Sequence, residues 1–242
     1  MRLRGVRLER RRDFGDVWLA WGLWRMLELD ALLEREIAAG REEISWGTMA
    51  AILTIARFCE PASELHIKEK WYRRTALEEW LGVAPEQVPT ARLYEALDRL
   101  LPHQETIEKH LRRRFGELFE LKCDLLLYDV TSTYFEGDME GCPIAKRGDS
   151  RDSRGDSRDS RGDRPQVCIG LVVTEEGFPL GYEVFADNTH DSTTVKTIIA
   201  ALEKKYGSLN RVWVMDRGMV SEAKSPRMNW RSAPSGTKKK TA

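Results

Sequence analysis

The chain of 242 residues lacks several things that would classify it quickly. It has no net charge, because 39 basic residues balance 39 acidic ones, so it is not coated in positive charge. That balance leaves room for local patches. "MRLRGVRLERRR" holds six arginines against one glutamate, and the residues after Glu222 carry six Lys/Arg and no acid. Cysteine is scarce: Cys59, Cys123, Cys142 and Cys168 include no C-x-x-C pair of the zinc or redox kind. Neither an apolar leader nor an apolar run of about 18 residues is present, so neither secretion nor a membrane partner is expected. Free thiols in a reducing cytoplasm are the simple reading, with Cys123 and Cys168 as small apolar fillers in or near strands. The RGD triplets, integrin-like in isolation, carry no weight in such a chain.

What is present falls into two regions, with an apolar fraction of 41% that can build a real core. From about residue 14 to 120 the apolar spacing is helical. Val17, Ala20, Trp21, Trp24, Leu27 and Ala31 form one stripe. Leu29, Leu32, Leu33 and Ile37 form a second, which implies a bend or a second short helix. Met49, Ile52, Leu53 and Ala56 form a third. Thr75 and Glu78 match a capping box, and Thr90 is placed to cap a helix faced by Leu93, Leu97, Leu100 and Leu101. Ile107, Leu111, Phe115 and Leu118 face the next. Tryptophans at helical spacing read as core. Lys109, Arg112 and Arg113 of "KHLRRR" could grip phosphates or form a solvated helix face.

At residue 121 the period changes to that of strands. "LLLYDVTSTYF" is an apolar run that ends on Asp129. "QVCIGLVVTEEGFPLGYEVFA" reads as a hairpin turning at Gly177 and Pro179. "DSTTVKTIIAALEKKYG" reads as a helix closed by Gly207. "RVWVMD" is a strand ending on Asp216, parallel to the first. The fold class is therefore α+β or α/β: an N-terminal helical domain, residues 1–120, then a mixed sheet with a helix, residues 121–222. "RGDSRDS" stands at 147–153 and again at 154–160, within a polar loop spanning 144–164. With no apolar residue, the repeat cannot be a coiled coil and must be solvated.

A carboxylate at the end of a buried run is costly unless paired. Two of them on neighbouring strands repel unless a cation lies between. Oxygen donors favour Mg²⁺ or Mn²⁺, and a pair of such ions roughly 3.5–4 Å apart drives phosphodiester chemistry. The hydroxyls of Thr131, Ser132 and Thr133 could orient the carboxylate or a metal-bound water, and Arg217 could contact a phosphate.

"YDVTSTYFEG", "RPQVCIGLVVTEEGFPLGYEVFADNTHDSTT" and "VWVMDRGM" together resemble the DDE transposases of bacterial insertion sequences, in the family's order, from about Asp124 to Ser221. The resemblance implies an RNase H-like fold of the retroviral-integrase type and DNA strand transfer with Mg²⁺ (or Mn²⁺). Asp129 falls on the family's first catalytic and metal-binding aspartate, and Asp216 on its second. The implied partner is double-stranded DNA at transposon ends, read by the helical region, with a homodimer allowed. The implied location is the cytoplasm, at the nucleoid. Residues 155–167 fit the family's passage before the hairpin, so 147–153 is the surplus copy. The family's third acid, a glutamate on a later helix, has no counterpart, because Glu222 is too close to Asp216. Residues 223–242 read as a disordered or out-of-frame tail. These departures imply a truncated chain unable to complete transposition, or a DNA-binding remnant that competes for element ends.

Overall fold

The computed structural model describes residues 11–121, 125–147, 164–186, 191–206, 212–215 and 229–232. The chain is α+β, with helices up to Phe119 and, among the described residues after it, a mixed sheet with one helix. It divides into two compact units, Met1–Leu111 and Arg112–Ala242.

The first unit runs α1 (Gly15–Met26), α2 (Leu29–Glu36), α3 (Trp46–Cys59), α4 (Glu64–His66), a π turn (Ile67–Trp71), α5 (Tyr72–Arg74), α6 (Leu77–Leu81) and α7 (Thr90–Leu100). α8 (Gln104–Phe119) begins in this unit and ends in the next. The two stripes at residues 17–37 are separate helices, because Glu28 takes a left-handed conformation (φ 54°) between them. α3 is the centre. Ser45 caps it by accepting from the Thr48 N–H, and Trp46, Met49, Ile52, Leu53, Ile55 and Ala56 are all buried. Burying each large aliphatic side chain stabilises by about 1.5–3 kcal/mol, so this helix holds the unit together. Trp24, Trp46 and Trp71 are core as expected, whereas Trp18 is 58% exposed.

Three local expectations change. Thr75 does not cap α6. Its hydroxyl donates back to the Tyr72 carbonyl, and it is fully buried at the end of α5. Thr90 is the first residue of α7, whose cap position is Pro89, so its side chain caps nothing. The buried face of α7 is Leu93 with Ala96, while Leu97 and Leu101 are exposed. The closeness of α3 favours the small Ala96 at the contact.

In the second unit, β1 (Leu125–Tyr134), β2 (Lys146–Arg147), β3 (Pro165–Thr174), β4 (Pro179–Ala186), β5 (Val212–Met215) and β6 (Asn229–Ser232) form one sheet, and α9 (Asp191–Tyr206) lies between β4 and β5 in the chain. β3 lies antiparallel to β1 and β4, and β5 lies parallel to β1. The hairpin turns through Gly177 at φ +89°, a conformation glycine adopts without strain. Along β1, Leu126 and Tyr128 point to the face that also carries Val172, Trp213 and Met215, and α9 covers it with Val195, Ile198 and Leu202. Alternation therefore sends Leu125, Leu127 and Asp129 to the opposite face.

Two strands correct the sequence reading. Lys146–Arg147, expected inside the polar loop, pair with Gln166 and Pro165. Asn229–Ser232, expected in a disordered tail, pair in parallel with β5. Backbone ladder bonds to an open strand edge require no apolar period, so neither strand announced itself. The rest of the repeat, residues 148–163, and the remainder of the tail lie outside the described residues.

Candidate functional site

β1 is the middle of the sheet, flanked by β3 and β5. Its first four residues are buried or half-buried, and Asp129 is the first exposed residue. The change comes halfway along the strand; among the described residues Leu127 with Val214 is the last pair with β5, while pairing with β3 continues to Tyr134. Asp129 stands opposite Leu171 of β3, itself 42% exposed. Its exposed carboxylate therefore lies on the face that α9 does not cover.

The hydroxyl run divides across the sheet. Thr131 and Thr133 share Asp129's face by two-residue alternation and are exposed. Ser132 points the other way and lies 3.4 Å from the Sγ of the buried Cys168. Two of the three hydroxyls can therefore serve a ligand at Asp129.

Asp216 and Arg217 lie outside the described residues. Asp216 directly follows Met215, the last residue of β5. Among the described residues no group of three or more His, Cys, Asp or Glu could hold a metal ion. Asp129 is thus one hard oxygen donor, suited in kind to Mg²⁺ or Mn²⁺ but alone insufficient.

The cations of "KHLRRR" are engaged along α8. Lys109 is paired with Glu105 at 2.6 Å and Arg113 with Glu117 at 2.8 Å, both four residues apart. Glu117 also accepts from Arg114, and that bond is the main reason its pKa is lowered. Arg112 is half-buried on the same helix. Exposed pairs of this kind are worth only about 0.3–0.5 kcal/mol, so a phosphate could displace them at little cost.

Sequence reading passed over two other cations. Arg92 and Arg99 of α7 bring their guanidinium carbons to 4.4 and 5.3 Å from the ring centroid of Trp46. The available signal was their seven-residue spacing in "ARLYEALDRL", which puts both on one helix face.

No family model matches this chain, and no curated protein sequence matches it. Among solved structures, it is similar to "Mos1 transposase paired-end complex with left transposon end" (12% identity, TM-score 0.27, 83% of this chain). It is also similar to "Crystal structure of a pre-cleavage Mos1 transpososome" (12%, 0.26, 83%). A third is "Crystal structure of the Mos1 mariner paired end complex with Mn" (14%, 0.27, 82%). The match spans 61–62% of the length of those chains.

Proposed function

We propose that the chain is a DDE-type DNA transposase of the bacterial insertion-sequence kind, with its reaction centre on the open face of the sheet at Asp129. The observation that carries this reading is the placement of Asp129. It is the exposed carboxylate ending a buried run on the central strand, beside a parallel strand whose chain continues directly into another aspartate. The order of hairpin, helix and parallel strand is also that expected of an RNase H-like core. The sequence motifs of residues 124–221 supply the link to DNA.

In this reading Asp129 and Asp216 would hold Mg²⁺ or Mn²⁺, and the ion would supply activation of a water or 3′-hydroxyl and stabilisation of the leaving oxygen. Thr131 and Thr133 orient donors on the same face, and Arg217 contacts a phosphate. Residues 1–120 bind the element ends, with Lys109, Arg112 and Arg113 available to the backbone.

The test is Mn²⁺ binding followed by electron paramagnetic resonance, together with nicking of duplex DNA carrying the inverted repeats that flank the coding region. Asp129→Asn and Asp216→Asn should each abolish tight Mn²⁺ binding while leaving DNA affinity intact. Mn²⁺ affinity untouched by both substitutions would overturn the site. A wild-type chain with no affinity for duplex DNA would overturn the function.

A further inference from the structure

Among the described residues, six arginines of the first unit are matched to carboxylates: Arg12 with Glu78, Arg25 with Asp30, Arg35 with Glu36, Arg57 with Glu64, Arg73 with Glu86 and Arg74 with Asp13. Arg92 and Arg99 are not. Neither makes an ion pair among the described residues, although Glu95 stands four residues before Arg99 on the same helix. Instead both guanidinium groups gather on the indole of Trp46. Arg92 is fixed there, donating to the Ile44 carbonyl at 2.6 Å. Trp46 is fixed in turn, being buried and donating from Nε1 to Glu42 at 2.6 Å. Arg99 is exposed and has no such anchor.

Two cations on one ring repel each other, and the electron-rich indole face compensates only part of that. Among the described residues, Glu42 is the one carboxylate hydrogen-bonded to Trp46, and it also interacts electrostatically with Arg92. Its pKa is lowered, chiefly by a hydrogen bond from its own backbone, so it stays ionised and offsets one of the two charges. Arg99 is exposed and offers a planar, multi-donor guanidinium, the chemistry that suits a phosphate oxygen.

We infer that Arg92, Arg99 and Trp46 form a phosphate-contact site for the backbone of duplex DNA, with Arg92 positioning the indole and Arg99 reaching the phosphodiester. The inference rests on the DNA-binding reading above. The site would fix the register of the helical unit on the duplex and read no sequence itself.

The experiment is fluorescence anisotropy of the full chain on mixed-sequence duplex DNA, across roughly 50–200 mM salt. Arg99→Gln should weaken binding several-fold on every sequence and lower the slope of log affinity against log salt by about 1. Arg99→Lys should recover most of the slope, because the charge is kept. The melting temperature of both variants should match wild type, since Arg99 is exposed. A wild-type slope in Arg99→Gln would overturn the site while leaving the DNA-binding reading in place. A change confined to duplex RNA would also overturn the assignment to DNA. A wild-type chain that binds no duplex DNA would remove both conclusions together.

Discussion

Gly170, in the middle of β3, lies on the α9-covered face across from Val130 and Glu183. A Cβ built there would stand 2.7 Å from the Tyr128 hydroxyl oxygen, 3.1 Å from that ring's edge and 3.0 Å from the Phe185 ring. The glycine is the space into which Tyr128 is laid. Gly170→Ala should therefore force Tyr128, which is only 3% exposed, against its neighbours. Overpacking of this size costs about 1–3 kcal/mol. The alanine recovers about 0.4–1 kcal/mol by restricting the unfolded chain. The net expectation is a loss of about 1–2 kcal/mol, and at about 3–5 °C per kcal/mol for a unit of this size, a fall of several degrees in Tm.

The contact is specific enough for a double-mutant cycle. Tyr128→Phe removes the nearest atom, so Gly170→Ala should cost measurably less in that background. Urea melts of the four chains, read by the m-value and midpoint, give the coupling. A Gly170→Ala chain as stable as wild type, or a penalty unchanged by Tyr128→Phe, would refute the packing described for this face. Because Tyr128 precedes Asp129 on β1, a displaced ring should also weaken Mn²⁺ binding if that carboxylate is a ligand.

Burial raises the Tyr72 phenol well above its ordinary value and, with Asp16 nearby, pushes the Cys59 thiol up to about 11. Both groups favour the neutral form in the folded state, so their contribution is intact below pH about 9 and declines as pH rises through the folded values. Tm should fall steeply above pH 9, less so in Cys59→Ala, and a flat profile to pH 11 would contradict it. The same thiol should react sluggishly with a disulfide reagent at pH 8, and fast labelling of the folded chain at Cys59 would show it is not shielded. Phe178 packs on Phe115 and Phe119 with ring centroids 5.2 and 4.9 Å apart. Phe178→Ala should cost about 2 kcal/mol by urea denaturation, since each aromatic pair contributes about 0.5–1.5 kcal/mol beyond area burial. Removing either "RGDSRDS" copy yields the same shorter chain. It should change stability by no more than about 0.6 kcal/mol, the scale of halving a flexible loop, and a larger drop in Tm would show that the repeat packs.

The sheet was legible because its strands carry their own signals. β1, β3 and β4 are apolar runs bounded by turn residues, and only a parallel β5 closes the helix connection in the usual hand. Asp129 was legible for a related reason: one carboxylate at the end of an apolar run is a visible violation of the pattern. β2 and β6 were not legible, because a ladder on an open edge depends on backbone groups that every residue has. The same limit hid Thr75. Its spacing to Glu78 is that of a cap, and only the backbone path shows that its hydroxyl already satisfies the Tyr72 carbonyl.

Charge was the least legible property. "KHLRRR" stands out in the sequence as a cluster, yet Lys109 and Arg113 meet acids one helical turn away, a pairing the same sequence already contained. Arg92 and Arg99 stand out not at all. What separates them from the other arginines is a tryptophan, 46 residues from the nearer of them in sequence, that gathers both. A cluster of basic residues in a chain of zero net charge therefore says little until each cation is matched with its acid. The cations left over after that matching are the ones with charge to offer a phosphate.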